Sequence, residues 1–141
     1  MKRLLIPFLI LYVFIFTSCD KNIVINENIF MTKTWKRGII DKNPNNNPPG
    51  KIGYYAVLEC EKDDTFKFNT VSTLTIEKGQ NKCNSTESST EIIQYTYDNL
   101  KNELIMDGVK YIVTEESNGQ IKYLAPAPSL TGYDYVAYIL E

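Results

Sequence analysis

Three observations predict an all-β fold of about eight strands, closed as a sandwich or barrel. Apolar and polar residues alternate with a period of two, as in Thr65–Phe68 and again through Leu74 and Ile76. Turn-forming clusters separate these runs at intervals of roughly 8–12 residues. Past the N-terminal leader, no segment sustains the three-to-four spacing of an amphipathic helix, so at most one helical turn fits, around Ile29 to Lys33. A lone sheet of this size would expose its edges to other chains, and closure removes them.

The elements follow in order. The chain has 141 residues and begins Met1, Lys2, Arg3, followed by an uncharged run from Leu4 to Phe16 and then Thr17, Ser18 and Cys19. A basic start, a short apolar stretch and a small-residue exit are the parts of a secretion signal. The run falls short of the ~20 apolar residues that a membrane-spanning helix needs. The stretch "FTSC", Phe16–Cys19, resembles a bacterial lipobox, in which an apolar residue and two small ones precede an obligatory cysteine. Phe16 stands where that pattern usually has Leu. The resemblance implies removal of residues 1–18, a diacylglyceryl group on the Cys19 sulfur and a further acyl chain, such as palmitate, on the new amino terminus. Multiple acyl chains give stable anchoring, whereas one gives marginal binding. Ordinary cleavage that leaves Cys19 as a thiol is the alternative. Residues 19–28 then read as a polar membrane tether and 29–141 as one domain with a single core.

Asp41–Gly50, "DKNPNNNPPG", is a loop, because its Pro and Asn leave no room for helix or strand. Gly53–Cys60, "GYYAVLEC", reads as a strand bounded by Gly and by an acidic turn. "TFKFN" and "STLTIEKG" follow with clear alternation, then "EIIQYTY", the turn "DNLKN" and "ELIM". "VKYIV" sets Val109, Tyr111 and Val113 against Lys110 and Ile112. Asn118-Gly119 predicts a type I′ hairpin, whose two turn residues must accept positive φ, leading back into "QIKYL". The last strand, "YDYVAYIL", is apolar on both faces and suits a wall that touches both an interior and something outside.

"TKTWKRGII", "LECEKDDTFKF" and the later Cys83 resemble the lipocalin-like domains of small bacterial lipoproteins. The resemblance implies a lipocalin-like antiparallel barrel with Trp35 on its first strand. It further implies that Cys60, just before the acidic-aromatic turn, pairs with Cys83. Lys33 stands where lipocalins favour Gly, two residues before the Trp. By the same analogy the Asp41–Gly53 loop hangs over the open end of the barrel. A Cys60–Cys83 pair is structural rather than redox-active, since no Cys-x-x-Cys spacing or flanking helix lowers a thiol pKa.

Several function classes are disfavoured. The leader holds two of the fifteen Lys and Arg and none of the seventeen acids, so the remaining chain carries −4 and offers no basic patch for nucleic acid. The chain has no histidine, which excludes Ser-His-Asp and Cys-His catalysis and His-based zinc sites. Asp63-Asp64 and Glu115-Glu116 are adjacent carboxylates that point to opposite faces of a strand and read as solvated turn charge. Asp41, Asn43 and Asn45 have the first spacings of a calcium loop, but Asn46 and Ile52 break the pattern. Asn84-Ser85-Thr86 matches a glycosylation acceptor, which a bacterial lipobox makes uninformative.

The expected function is therefore a non-enzymatic binding module without metal or cofactor, held in the bacterial cell envelope by Cys19. The outer membrane is favoured over the inner, although Asp20 would favour inner-membrane retention by the enteric sorting rule. The ligand is a small apolar molecule inside the barrel, lined by Trp35, Phe66, Phe68, Tyr111, Tyr123 and Tyr135. The alternative is a barrel filled by its own side chains, serving as an accessory subunit of an envelope protein complex.

Overall fold

The structure, a computed structural model, describes residues 28–69 and 72–141. The leader, Cys19 and nearly all of the tether lie outside the described residues. Nine strands form one curled sheet: β1 (Trp35–Lys36), β2 (Ile52–Tyr54), β3 (Thr65–Phe68), β4 (Thr73–Glu77), β5 (Thr90–Asp98), β6 (Glu103–Met106), β7 (Val109–Ser117), β8 (Gln120–Pro126) and β9 (Tyr135–Leu140). Their order is β1-β3-β4-β5-β6-β7-β8-β9-β2. The fold is all-β, as the alternation predicts, and the curled sheet is lipocalin-like, as the resemblance implies.

Every neighbouring pair is antiparallel except β2–β9, which is parallel, with Ile52 opposite Tyr135. The outer edge of β9 is shared. Its first half pairs with β2, while its second half meets the chain just past β1, where Arg37 bridges Leu140 and the Gly38 amide donates to the Ile139 carbonyl at 3.0 Å. The Lys36 and Glu141 backbones exchange two hydrogen bonds of 3.0 and 2.9 Å. Because β1 also pairs with β3, it joins the two ends of the curled sheet and covers the second half of the β9 edge.

One end of the barrel is stoppered. Ile29–Met31 form a single 3₁₀ turn capped by the Asn28 side chain, which accepts from the Phe30 amide at 3.1 Å. The turn delivers Phe30, fully buried, against the rings of Phe68 and Tyr97, with centroids 4.9 and 4.8 Å away. Burying such a ring stabilises by about 2–3 kcal/mol. The Trp35 indole N–H, also fully buried, donates to the Phe30 carbonyl at 2.8 Å and locks the stopper to the first strand. Lys33, at the position where lipocalins favour Gly, lays its ammonium 4.2 Å from the Trp35 ring centre.

Three local readings need correction. The apolar run Gly53–Cys60 pairs only through Tyr54; the Tyr55 amide makes one more bond to Ala137, and the chain then coils into a 3₁₀ turn at Glu59–Glu61. That turn presents Cys60 to Cys83, which are bonded to each other with Cα atoms 5.1 Å apart. Secondly, neither Asn118 nor Gly119 has positive φ. Ser117 supports the turn instead, its hydroxyl accepting from the Gln120 amide and donating to the Gln120 carbonyl, each at 3.1 Å. The hairpin with two positive-φ residues is Asp107-Gly108, at φ 49° and 78°, between β6 and β7.

Thirdly, the Asp41–Gly53 loop does not cover the barrel mouth. It lies on the outer wall of β7–β9, tied down by Lys122 of β8, which is fully buried. The Lys122 ammonium donates to both Asp41 carboxylate oxygens at 3.0 and 2.9 Å and to the Asn43 carbonyl at 2.7 Å. A β-bulge at Thr114 prepares this wall. Val113 faces Tyr123 on the inside, and the bulge brings Glu115 opposite Lys122 on the outside. There Glu115 accepts from Gln120 Nε2 at 2.7 Å and from Asn43 Nδ2 at 2.5 Å. Glu115 is thus buried and hydrogen-bonded rather than solvated turn charge. Asp64, 2 % exposed, is likewise satisfied, by the Gly79 amide at 2.9 Å and Lys78 at 3.3 Å.

Candidate functional site

Alternation sends one face of each strand inward, and the inward residues do not fill the barrel. Above the Phe30 stopper lies a cavity of about 240 Å³. Its apolar wall comes from Phe66 and Phe68 of β3, Leu74 and Ile76 of β4, Ile93 of β5 and Met106 of β6. Val109, half exposed, and Asp107 at the β6–β7 turn form the rim. The opposite wall is aromatic and polar: Tyr111 of β7, Tyr123 of β8, Tyr138 of β9 and Arg37 beyond β1.

That second wall is tightly organised. The Tyr123 and Tyr138 rings stack at 5.4 Å with planes 7° apart, as cross-strand partners on β8 and β9. Tyr111 meets both edge-on, at 5.3 and 5.9 Å. Offset and edge-to-face arrangements are the ones the ring quadrupole favours. Arg37 enters this cluster because its backbone bridges β9 beside Tyr138. Its guanidinium donates to the Tyr123 hydroxyl at 2.8 Å and lies 4.5 Å from the Phe66 ring centre, 5.3 Å from Tyr55 and 5.7 Å from Tyr138.

Among the described residues no carboxylate ion-pairs with Arg37. The acid that most influences it, Glu61, is held elsewhere, accepting from the Tyr55 hydroxyl at 2.8 and 3.0 Å and from the Leu58 amide at 3.1 Å. Burial and the nearby Glu61 carboxylate push the Tyr55 phenol up to about 12. Burial raises the Tyr111 and Tyr123 phenols too, with Arg37 opposing it in both. The Tyr55, Tyr111 and Tyr123 phenols are therefore neutral at physiological pH, and Arg37 supplies the positive charge of this wall.

Of the six residues expected along a ligand cavity, Phe66, Phe68, Tyr111 and Tyr123 line it. Trp35 does not. Its ring is spent on the stopper, held by the bond to Phe30. Nor does Tyr135, which pairs with Pro126 and Ile52 at the far end of β9, on the outward side with Ala137 and Ile139. Tyr138, of the opposite parity, takes the inward place. Arg37 was not among the expected residues. Its signal, a charged residue two places after the strand-one Trp and therefore on the same face, is present in the sequence, but a lone arginine there also suits a solvated strand edge.

No three carboxylates or cysteines converge in a way that could hold a metal ion among the described residues. Asp41 and Asn43, the start of the calcium-like spacing, are engaged by Lys122. No protein-family model matches the chain, and no curated protein or solved structure matches it either.

Proposed function

We propose that this protein is an envelope lipoprotein, anchored through Cys19, whose lipocalin-like barrel binds a small apolar ligand and performs no catalysis. The observation that carries the reading is the unfilled cavity of about 240 Å³ between an apolar wall and a tyrosine wall. Barrels of about eight strands either fill with side chains or hold one small ligand. Concave sites with apolar walls and a few oriented polar groups are the usual form of small-molecule sites. Anchoring rests on the leader and the "FTSC" sequence.

The test is to recover the full chain from a bacterial envelope in mild detergent and compare its native and denatured masses. An added small mass, lost on denaturation and reduced by Tyr111→Ala, supports a carrier. A bare polypeptide that co-purifies with a second protein overturns this reading in favour of an accessory subunit of an envelope complex. The denatured mass also reports on Cys19, since lipidation removes residues 1–18 and adds acyl chains.

A further inference from the structure

Two properties of Arg37 stand apart from the rest of the barrel interior. It is a permanent cation in a mostly apolar chamber, and among the described residues one hydrogen-bond acceptor, the Tyr123 hydroxyl, meets its five N–H donors. Arg37 is partly buried, and charges drawn away from water are normally paired with an opposite charge or coordinated. Here the aromatic faces of Phe66, Tyr55 and Tyr138 surround the guanidinium plane, while Glu61 is drawn off by Tyr55 and Leu58. Ring faces partly offset the loss of water but leave in-plane donors unused.

We infer that the cavity takes an amphipathic anion whose carboxylate meets Arg37 and whose apolar body lies against Phe66, Phe68, Leu74 and Ile76. This deepens the proposed function and rests on it. A planar carboxylate matches the guanidinium fork in two parallel hydrogen bonds, and such charge-assisted pairs are about twice as strong as neutral ones. The Tyr123 phenol, raised by burial, stands beside that position as a neutral group, with the Tyr138 ring stacked against it. Among the described residues the one acid of the cavity lining, Asp107, is exposed at the rim, where solvent screens it. The volume limits the body, since it falls below the roughly 300–1,000 Å³ of drug-sized pockets. A bicyclic aromatic acid or a short-chain acid fits that limit.

The experiment is equilibrium dialysis of the full chain with two probes, 2-naphthoate and the uncharged 2-naphthamide, with the same detergent on both sides. The expected result is naphthoate bound at least about tenfold more tightly than the amide. Arg37→Met should bring the two to within about twofold by weakening only the acid, and Arg37→Lys, which keeps the charge but not the fork, should fall between. Equal binding of acid and amide by the unaltered protein would overturn the inference while leaving a binding cavity in place. Binding of neither probe would overturn both the inference and the carrier reading. If Arg37→Met fails to fold, Tyr123→Phe replaces it. That variant frees the guanidinium from its one partner, and a preference for the acid that persists or grows supports Arg37 as the anion's contact, whereas its loss counts against it.

Discussion

Replacing Lys122 by Met should be the most damaging single change outside the barrel interior. The side chain is fully buried and makes three hydrogen bonds, two of them to Asp41, whose own side chain is 6 % exposed. Met matches the stem but not the ammonium, so Asp41 is left as a buried carboxylate with Tyr54, Asn47, the Gln120 side chain and the Asn43 amide for neutral partners. Breaking a buried pair by removing one member costs about 3–5 kcal/mol, against a total stability of about 5–15 kcal/mol for a domain of this kind. Urea unfolding at pH 7 should show that loss. Asp41→Asn made in the Lys122→Met background should then cost far less than it does alone, because the two groups are one unit.

The pH dependence follows from the same pair. Burial alone would raise the Asp41 carboxyl, but hydrogen bonds from Lys122, Tyr54 and the Asn43 amide outweigh it and hold the group below its ordinary 3.8. A carboxyl more acidic in the fold adds stability that is complete above the ordinary value and is lost as pH falls through the folded one. Lys122→Met removes a main cause of that depression. The stability gap between the two proteins should therefore narrow as pH drops from about 5 to about 2. A loss under about 1 kcal/mol at pH 7, or a gap that widens in acid, would refute a buried, charge-paired anchor for the loop.

Three other outcomes are expected. Replacing Cys60 and Cys83 together by Ser opens a loop with a sequence separation of 23 and should cost about 3 kcal/mol in urea unfolding; no change would mean that the bond adds nothing to the fold. Gly79→Ala places a methyl 2.0–2.3 Å from the Asp63 carboxylate and pushes on the amide that Asp64 accepts, so a loss of about 1–3 kcal/mol is expected, and a neutral result would contradict this packing. The Tyr55 phenol, raised to about 12, should add a late step to the alkaline absorbance titration that Tyr55→Phe removes. Because the neutral form is favoured in the fold, its stabilisation is complete below about pH 10 and is lost as pH rises towards 12; a wild-type titration without that late step would refute the Tyr55–Glu61 contact.

Period-two alternation by itself determined the all-β class and which residues of β3, β4 and β7 face inward, because side-chain direction in a strand is a local property. The opposite faces of Tyr135 and Tyr138 were legible for the same reason; the 3₁₀ turn at Ile29–Met31 was foreseen, but two further turns, at Pro44–Asn46 and Glu59–Glu61, exceed the one that the sequence allowed for. Where non-local pairing overrides local pattern, reading failed. Val57 and Leu58 look like strand residues, but beyond Tyr55 the chain coils towards Cys83 and Tyr55 reaches back to Glu61. Asn118-Gly119 has the composition of a type I′ turn, yet Ser117 supports the corner, and the positive-φ turn falls at Asp107-Gly108. Lys122 and Glu115 are ordinary surface residues by type, and only the loop folded over β8 makes them a buried network. The same holds for Arg37. Its inward parity is local, but its place in a tyrosine cluster without a carboxylate exists only because β1 crosses to β9 and closes the barrel.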